Sequence, residues 1–404
     1  MTQTELTPFR FSVRTNEPAN RKIVCEPPDG NLPTYIVDID SVNRRAKAVR
    51  AALRRFVAQC MDLSAGGVSK SGAHLKELAQ CGNDLYWAIF NDRANPANSR
   101  EVREWVAAAA GSYRMNIVID DRTYIPWGLV YDGELDRLSG EPEDVDIRNY
   151  EDFWCLKYLV SPFYRNIMVR AGVTPRPVSL YRLISALHRQ AFTGAEACMD
   201  TSEPERQVLE WLRSHFDATQ AFNAVYDKNT LFNSWGDHAD LDMIFFYCHA
   251  NETSIAFSTT EMLTMDDIDK FQQKQEQLKA SPTRAGCLFF MNGCSTAVGD
   301  AGGGFLEVTG RRGASGFIGT ETEIPDLFAL RFGLAFLYYF LLEGRPVYEV
   351  MGQLRREHWP LSLLYSTYCS PGLRVEPPSD DARVSVTFSN FSHKRLGTTN
   401  TSVI

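Results

Sequence analysis

The sequence predicts an α/β protein built on a mostly parallel sheet with helices on both faces. Three observations predict it. Apolar runs of strand length, "LDMIFFYC" (241–248), "AGCLFFMNG" (285–293) and "GASGFIGT" (313–320), alternate with amphipathic stretches of helix length. The first two runs are almost continuously apolar rather than alternating, as strands buried on both faces are. Beyond them stand reactive side chains, His249 and Cys294.

The elements follow in order. Residues 1–35 are polar, broken by "EPPDGNLP", and read as a flexible N-terminal arm. Next, "VNRRAKAVRAALRRFVAQCMDL" sets Val49, Leu53, Val57 and Met61 four apart on one helical face with arginines opposite. Two more amphipathic helices are expected in "ELAQCGNDLYWAIFND" and "SREVREWVAAAAG", and a short strand in "RMNIVID" (114–120). A β-like run, "RPVSLYRLI", begins near Pro177 and opens a second half. There the order is helix ("EPERQVLEWLRSHF"), strand, helix ("MDDIDKFQQKQEQLKA"), strand, glycine-rich loop, strand, and the long helix "PDLFALRFGLAFLYYFLLEG". A last helix lies near "PVYEVMGQLRREHWP", and 376–404 form a polar tail in which "VSVTF" alternates like an edge strand. The expected organisation is an arm (1–35), an N-terminal half (36–175), a C-terminal half (176–375) and a tail. No repeat of solenoid length is visible.

Composition excludes several classes. The chain has 404 residues, 44% hydrophobic, so a sizeable core is available. A net charge of −8 argues against a nonspecific nucleic-acid or anionic-membrane surface. The opening "MTQTELTPFRFSVRTNEP" has no apolar signal-peptide core. "FGLAFLYYFLL" (332–342) falls short of the roughly 20 residues that span a bilayer and reads as a buried helix. The nine cysteines show neither a C-x-x-C pair nor zinc-site spacing, so they read as reduced cytosolic thiols, with no metal or cofactor expected.

In an open α/β sheet, reactive groups gather beyond the carboxyl ends of the strands. His249 and Cys294 both occupy such positions, on strands joined by one crossover helix. A thiol needs a base to become a nucleophilic thiolate, and neighbouring strand ends hold the two rigidly. Gly293 before the cysteine, with Ser295 and Thr296 after it, predicts a tight turn that exposes backbone N–H groups, the donors of an oxyanion hole. Other candidates are weaker. "GDAGGGF" (299–305) lacks the ending of a phosphate loop. His188 and His358 read as bystanders in helices, and Asp326 as a helix-start residue. "NRRAKAVRAALRR" is a solvated basic face or a partner contact.

Taken together, these blocks resemble the CHAT domain, a bacterial branch of the caspase-like cysteine peptidases, over about residues 40–370. "IPWGLVYDG" resembles the family's IPWE-type block, with Gly128 where Glu is usual. "FFYCHA" resembles the histidine block, with Ala250 where many caspase relatives have Gly. "FFMNGCST" is similar to the N-A-C-x-S block, with Gly293 for Ala. "GASGFIGTETEIPDLFALRFGLAFLYYFLLEGRPVYEVM" is similar to the carboxy-terminal block. The His–Cys separation of 45 (294 − 249) also matches the caspase pattern of about 50. The resemblance implies a caspase-like fold whose N-terminal half is a degenerate caspase-like unit. It implies a cysteine endopeptidase with His249 as general base and Cys294 as nucleophile. The oxyanion donors would be the backbone N–H groups near Ala250 and of Cys294. It further suggests regulated proteolysis in prokaryotic antiviral defence or cell death. Gasdermin-like or protease substrates and an activating partner protein would go with it.

Asn292, two before the cysteine, stands where Arg/Lys-specific relatives carry an acid in the primary specificity pocket. A neutral first substrate residue is therefore expected, unless Glu321 or Glu323 supplies the charge; alternatively Asn292 only ties the turn together. The rival readings are a non-catalytic CHAT-fold interaction scaffold and a different thiol acyltransferase or hydrolase.

Overall fold

The computed structural model describes residues 9–16, 22–26, 33, 35–62, 67–92, 95–108, 114–119, 124–164, 183–216, 222–237, 243–278, 287–299, 303–311, 314–369 and 373–375. The chain divides into two compact units, Met1–Arg165 and Asn166–Ile404. The boundary expected after residue 175, and the tail with its "VSVTF" run, lie outside the described residues.

In the first unit, β1 (Phe9–Asn16), β2 (Lys22–Glu26), β3 (Tyr35–Asp38), β4 (Arg114–Ile119) and β5 (Leu159–Tyr164) form one sheet in the order β3-β2-β1-β4-β5. Over Phe9–Asn16 and Lys22–Glu26 this corrects the expectation of a flexible arm spanning 1–35. Strand β1 pairs in parallel with β4, about a hundred residues later, and no local composition reveals such a partner. Two helices follow the sequence pattern closely. In Ile39–Met61, Val49, Leu53 and Val57 are buried, and the Asp38 carboxylate accepts from the N–H groups of Asp40 and Ser41 as an N-cap. The basic face of that helix is matched within the unit: Arg45 pairs with Asp84 at 2.6 Å and Arg55 with Glu77 at 2.7 Å, both on helix Gly72–Ile89. In the 124–132 block, Trp127 is buried and stacks on Trp154, with centroids 6.1 Å apart. A side chain on Gly128 would begin 3.2 Å from Cβ of Cys155.

The second unit contains β6 (Leu183–Leu187), β7 (Phe222–Val225), β8 (Met243–Tyr247), β9 (His249–Ala250), β10 (Ser254–Ala256), β11 (Met262–Thr264), β12 (Leu288–Asn292), β13 (Gly316–Thr320) and β14 (Tyr365–Cys369). Six of these form a sheet in the order β14-β13-β12-β8-β6-β7, parallel except for the antiparallel edge strand β14. Every residue of β8, β12, β13 and β14 is buried, as the continuous apolar runs require. The mostly parallel α/β sheet is thus as expected. Of the run near Pro177, the part within the described residues opens a strand, Leu183–Leu187. The β9–β11 meander was not foreseen: its strands are two or three residues long, too short to carry a pattern.

Helix Asp326–Leu337 is buried along its whole length and continues as a π-helical turn, Tyr338–Leu342. It lies against the sheet at Gly333, where a Cβ would sit 2.8 Å from the Phe245 ring. Tyr247 Oη donates to the Asp326 carbonyl at 2.8 Å, and the Phe332 and Tyr365 rings stack 3.8 Å apart. Among the described residues no helix is long and apolar enough to cross a membrane.

Candidate active site

Backbone register places His249 and Cys294 beyond the ends of adjoining strands. Strands β8 and β12 are parallel neighbours, and Tyr247 and Asn292 are cross-strand partners. Each reactive residue stands two positions beyond that pair. Gly293 closes the gap: a Cβ there would lie 2.5 Å from the Cys248 carbonyl oxygen and 2.9 Å from Cβ of Ala250. The residues flanking His249 therefore rest directly on the residue before Cys294.

The turn after Cys294 is unusual. Ser295 has φ of 55°, a left-handed backbone that a non-glycine residue seldom adopts. Its N–H donates to Thr322 O at 3.1 Å, and Ala297 N–H donates to Thr320 O at 2.9 Å. Thr296 Oγ1 donates to Met291 O at 2.8 Å and accepts from Thr320 N–H at 3.1 Å. The Thr320 hydroxyl donates to the Gly293 carbonyl. Because a trans peptide points its C=O and N–H in opposite directions, this bond turns the Cys294 N–H away from Thr320. Strain held by a dense set of hydrogen bonds is what a functional turn displays.

Cys294 is only 6% exposed, and its Sγ accepts a bond from Ile324 N–H at 3.4 Å. Burial is the largest cause of a pKa pushed up to about 12; the Ile324 N–H lowers it, and the nearby Glu323 carboxylate, a smaller influence, raises it. At neutral pH the sulfur is a thiol. His249 is half-buried on β9, where Ala256 is its antiparallel partner.

Asn292 is fully buried, with both ends of its amide engaged. Nδ2 donates to Ala329 O at 2.7 Å, and Oδ1 accepts from Tyr365 Oη at 2.6 Å. It ties β12 to the buried helix and to β14; its side chain is not presented to a substrate, so the neutral-residue expectation loses its basis. Of the two acids considered with it, Glu321 is buried, accepting from Ser366 Oγ, while Glu323 is half-buried beside Cys294. Asp326 starts its helix, its carboxylate accepting from Leu327 N–H at 2.7 Å. His358 is buried against the Phe328 and Phe332 rings.

Sequence reasoning missed His188. It does not lie inside a helix: it follows β6 and caps helix Arg189–Ala197. Its ring meets the His249 ring edge-on with centroids 4.5 Å apart. The signal was present, since "LISALH" is a third apolar run ending at a reactive side chain. Among the described residues, no group of three or more His, Cys, Asp or Glu is placed to hold a metal ion.

No protein-family model and no curated protein matches this chain. Among solved structures, it is similar to the Arg-specific cysteine proteinase gingipain R, with a TM-score of 0.44, 11% identity, and coverage of 70% of this chain and 69% of that one. A complex of the Porphyromonas gingivalis RgpB pro- and mature domains gives 0.44 at 12% identity, covering 70% of this chain and 71% of that one. The Saccharomyces cerevisiae separase–securin complex gives 0.47 at 10%, covering 92% of this chain but only 30% of that one. The chemistry of the site rests on its own residues.

Proposed function

We propose that this chain is a caspase-like cysteine endopeptidase acting through His249 and Cys294. His249 takes the thiol proton, and the thiolate attacks the carbonyl carbon of a peptide bond. The oxyanion so formed accepts from the backbone N–H groups of Cys294 and Ala250. The imidazolium returns the proton to the departing amine, and a water deprotonated by His249 then hydrolyses the thioester. One observation carries this reading: the parallel register of β8 and β12 sets the two reactive residues at adjoining strand ends. The left-handed Ser295, which braces the nucleophile's turn, supports it.

Cys294, buried and held as a thiol, fits a resting enzyme that is switched on when the sulfur is uncovered. An activating partner, a role in prokaryotic antiviral defence or cell death, and a gasdermin-like or protease substrate rest on the CHAT resemblance alone. Cys294→Ala and His249→Ala should each abolish cleavage of a protein substrate with the fold intact, and the double variant should lose no more than either. Cleavage that survives Cys294→Ala would end the assignment and leave the interaction-scaffold reading.

A further inference from the structure

The sheet order contains one reversal. From β6 the chain steps to β7 on one side, then to β8 on the other, and on outward to β12. Open α/β sheets bind their ligands at such a switch point, in the crevice beyond the carboxyl ends of the two diverging strands. Here the strands are β6 and β8, and the residues beyond their ends are His188 and His249. The pairing does not fray there: Leu187 and Tyr247 are partners, and His188 N–H donates to Tyr247 O at 2.8 Å.

We propose that His188 is a positioning residue of the dyad, its buried ring fixing the orientation of the His249 imidazole toward Cys294. This rests on the cysteine-peptidase reading above. Three observations carry it. His188 is 4% exposed, and its ring stands at 75° to that of His249 with centroids 4.5 Å apart, an edge-to-face contact. Its Nδ1 accepts from Ala191 N–H at 3.2 Å, which puts the ring proton on Nε2 and locks the ring to the start of a helix. Burial, and then the neighbouring His249, lower its pKa, which favours the neutral ring that an accepting Nδ1 already requires.

Two variants separate the ring from the cap. His188→Asn keeps a capping oxygen, Asn being a favoured N-cap, and removes the ring. His188→Phe keeps a ring and removes the cap. Each is compared with the full wild-type chain by thermal melting, by kcat and KM on a peptide substrate, and by the rate at which iodoacetamide alkylates Cys294. His188→Asn should melt like wild type and keep KM within about twofold, while kcat falls about 10²-fold, the cost of a small misplacement of a catalytic group. Alkylation should slow with it, since it too needs His249 to take the thiol proton. His188→Phe should recover most of kcat while melting lower. Wild-type kcat and alkylation in His188→Asn would overturn the proposal, and so would a folded His188→Phe as inactive as His188→Asn. Should wild type hydrolyse no peptide while alkylation still follows the ring, the peptidase reading falls and the positioning role stands.

Discussion

Glu323 sits half-buried near the Cys294 sulfur and acts on it in two ways. In the resting chain its negative charge opposes a second one on sulfur, so Glu323→Gln should speed alkylation of Cys294 at pH 9. The gain should be a few-fold only, because burial is the larger cause and remains. No acceleration would mean that the carboxylate does not reach the thiol. On the peptidase reading, the same carboxylate, which also accepts from Thr322 Oγ1, is a negative charge that a basic substrate residue would meet beside Cys294. We therefore expect cleavage after Arg or Lys, since an unpaired cation would otherwise be desolvated at large cost. A peptide panel varied at that residue tests it: Glu323→Gln should suppress cleavage after basic residues relative to neutral ones. A wild-type preference for neutral residues would sink the idea and return the specificity to other groups.

At the scale of elements, the turn between β12 and the nucleophile depends on a trade of methyl groups. Ala250 and Gly293 are the positions at which the two motif blocks differ from the pattern they resemble, and in the structure the two meet. A methyl on residue 293 would stand 2.9 Å from the methyl of Ala250. Gly293→Ala should cost about 1–3 kcal/mol, as overpacking does. Adding Ala250→Gly should recover part of that, with a coupling of about 0.5–3 kcal/mol in a denaturation cycle. Strict additivity would show that the clash with the Cys248 carbonyl dominates. The sequence revealed β8, β12 and β13 because their both-faces burial leaves an unbroken apolar run. It also revealed the two strand ends that carry His249 and Cys294. It hid β1 and β2, which depend on a partner strand distant in sequence, and the two- and three-residue strands of the meander. It hid the role of Asn292 as well, because two readings fit one residue until Ala329 and Tyr365 were found at its amide.

For the whole molecule, buried thiols set an alkaline limit on stability. Burial pushes the pKa values of Cys60, Cys294 and Cys369 from an ordinary 9.0 up to about 12. Folded thiols with raised pKa hold their protons where unfolded ones release them. Their contribution is complete below pH 9 and lost as the pH climbs toward 12, at roughly 1.4 kcal/mol per thiol for each pH unit in between. Urea midpoints should therefore fall between pH 9 and 10.5, and less so in Cys369→Ala; equal slopes in both proteins would refute this. The sheet order has a different consequence, for the time at which the parts of the candidate site are made. His188, His249 and Cys294 stand beyond β6, on β9 and beyond β12, and Tyr365, on β14, anchors Asn292 two residues before Cys294. A growing chain on the ribosome carries His188, His249 and Cys294 before Tyr365, the anchor of Asn292, has been made. On the peptidase reading, the anchor beside the dyad is therefore made after the dyad itself.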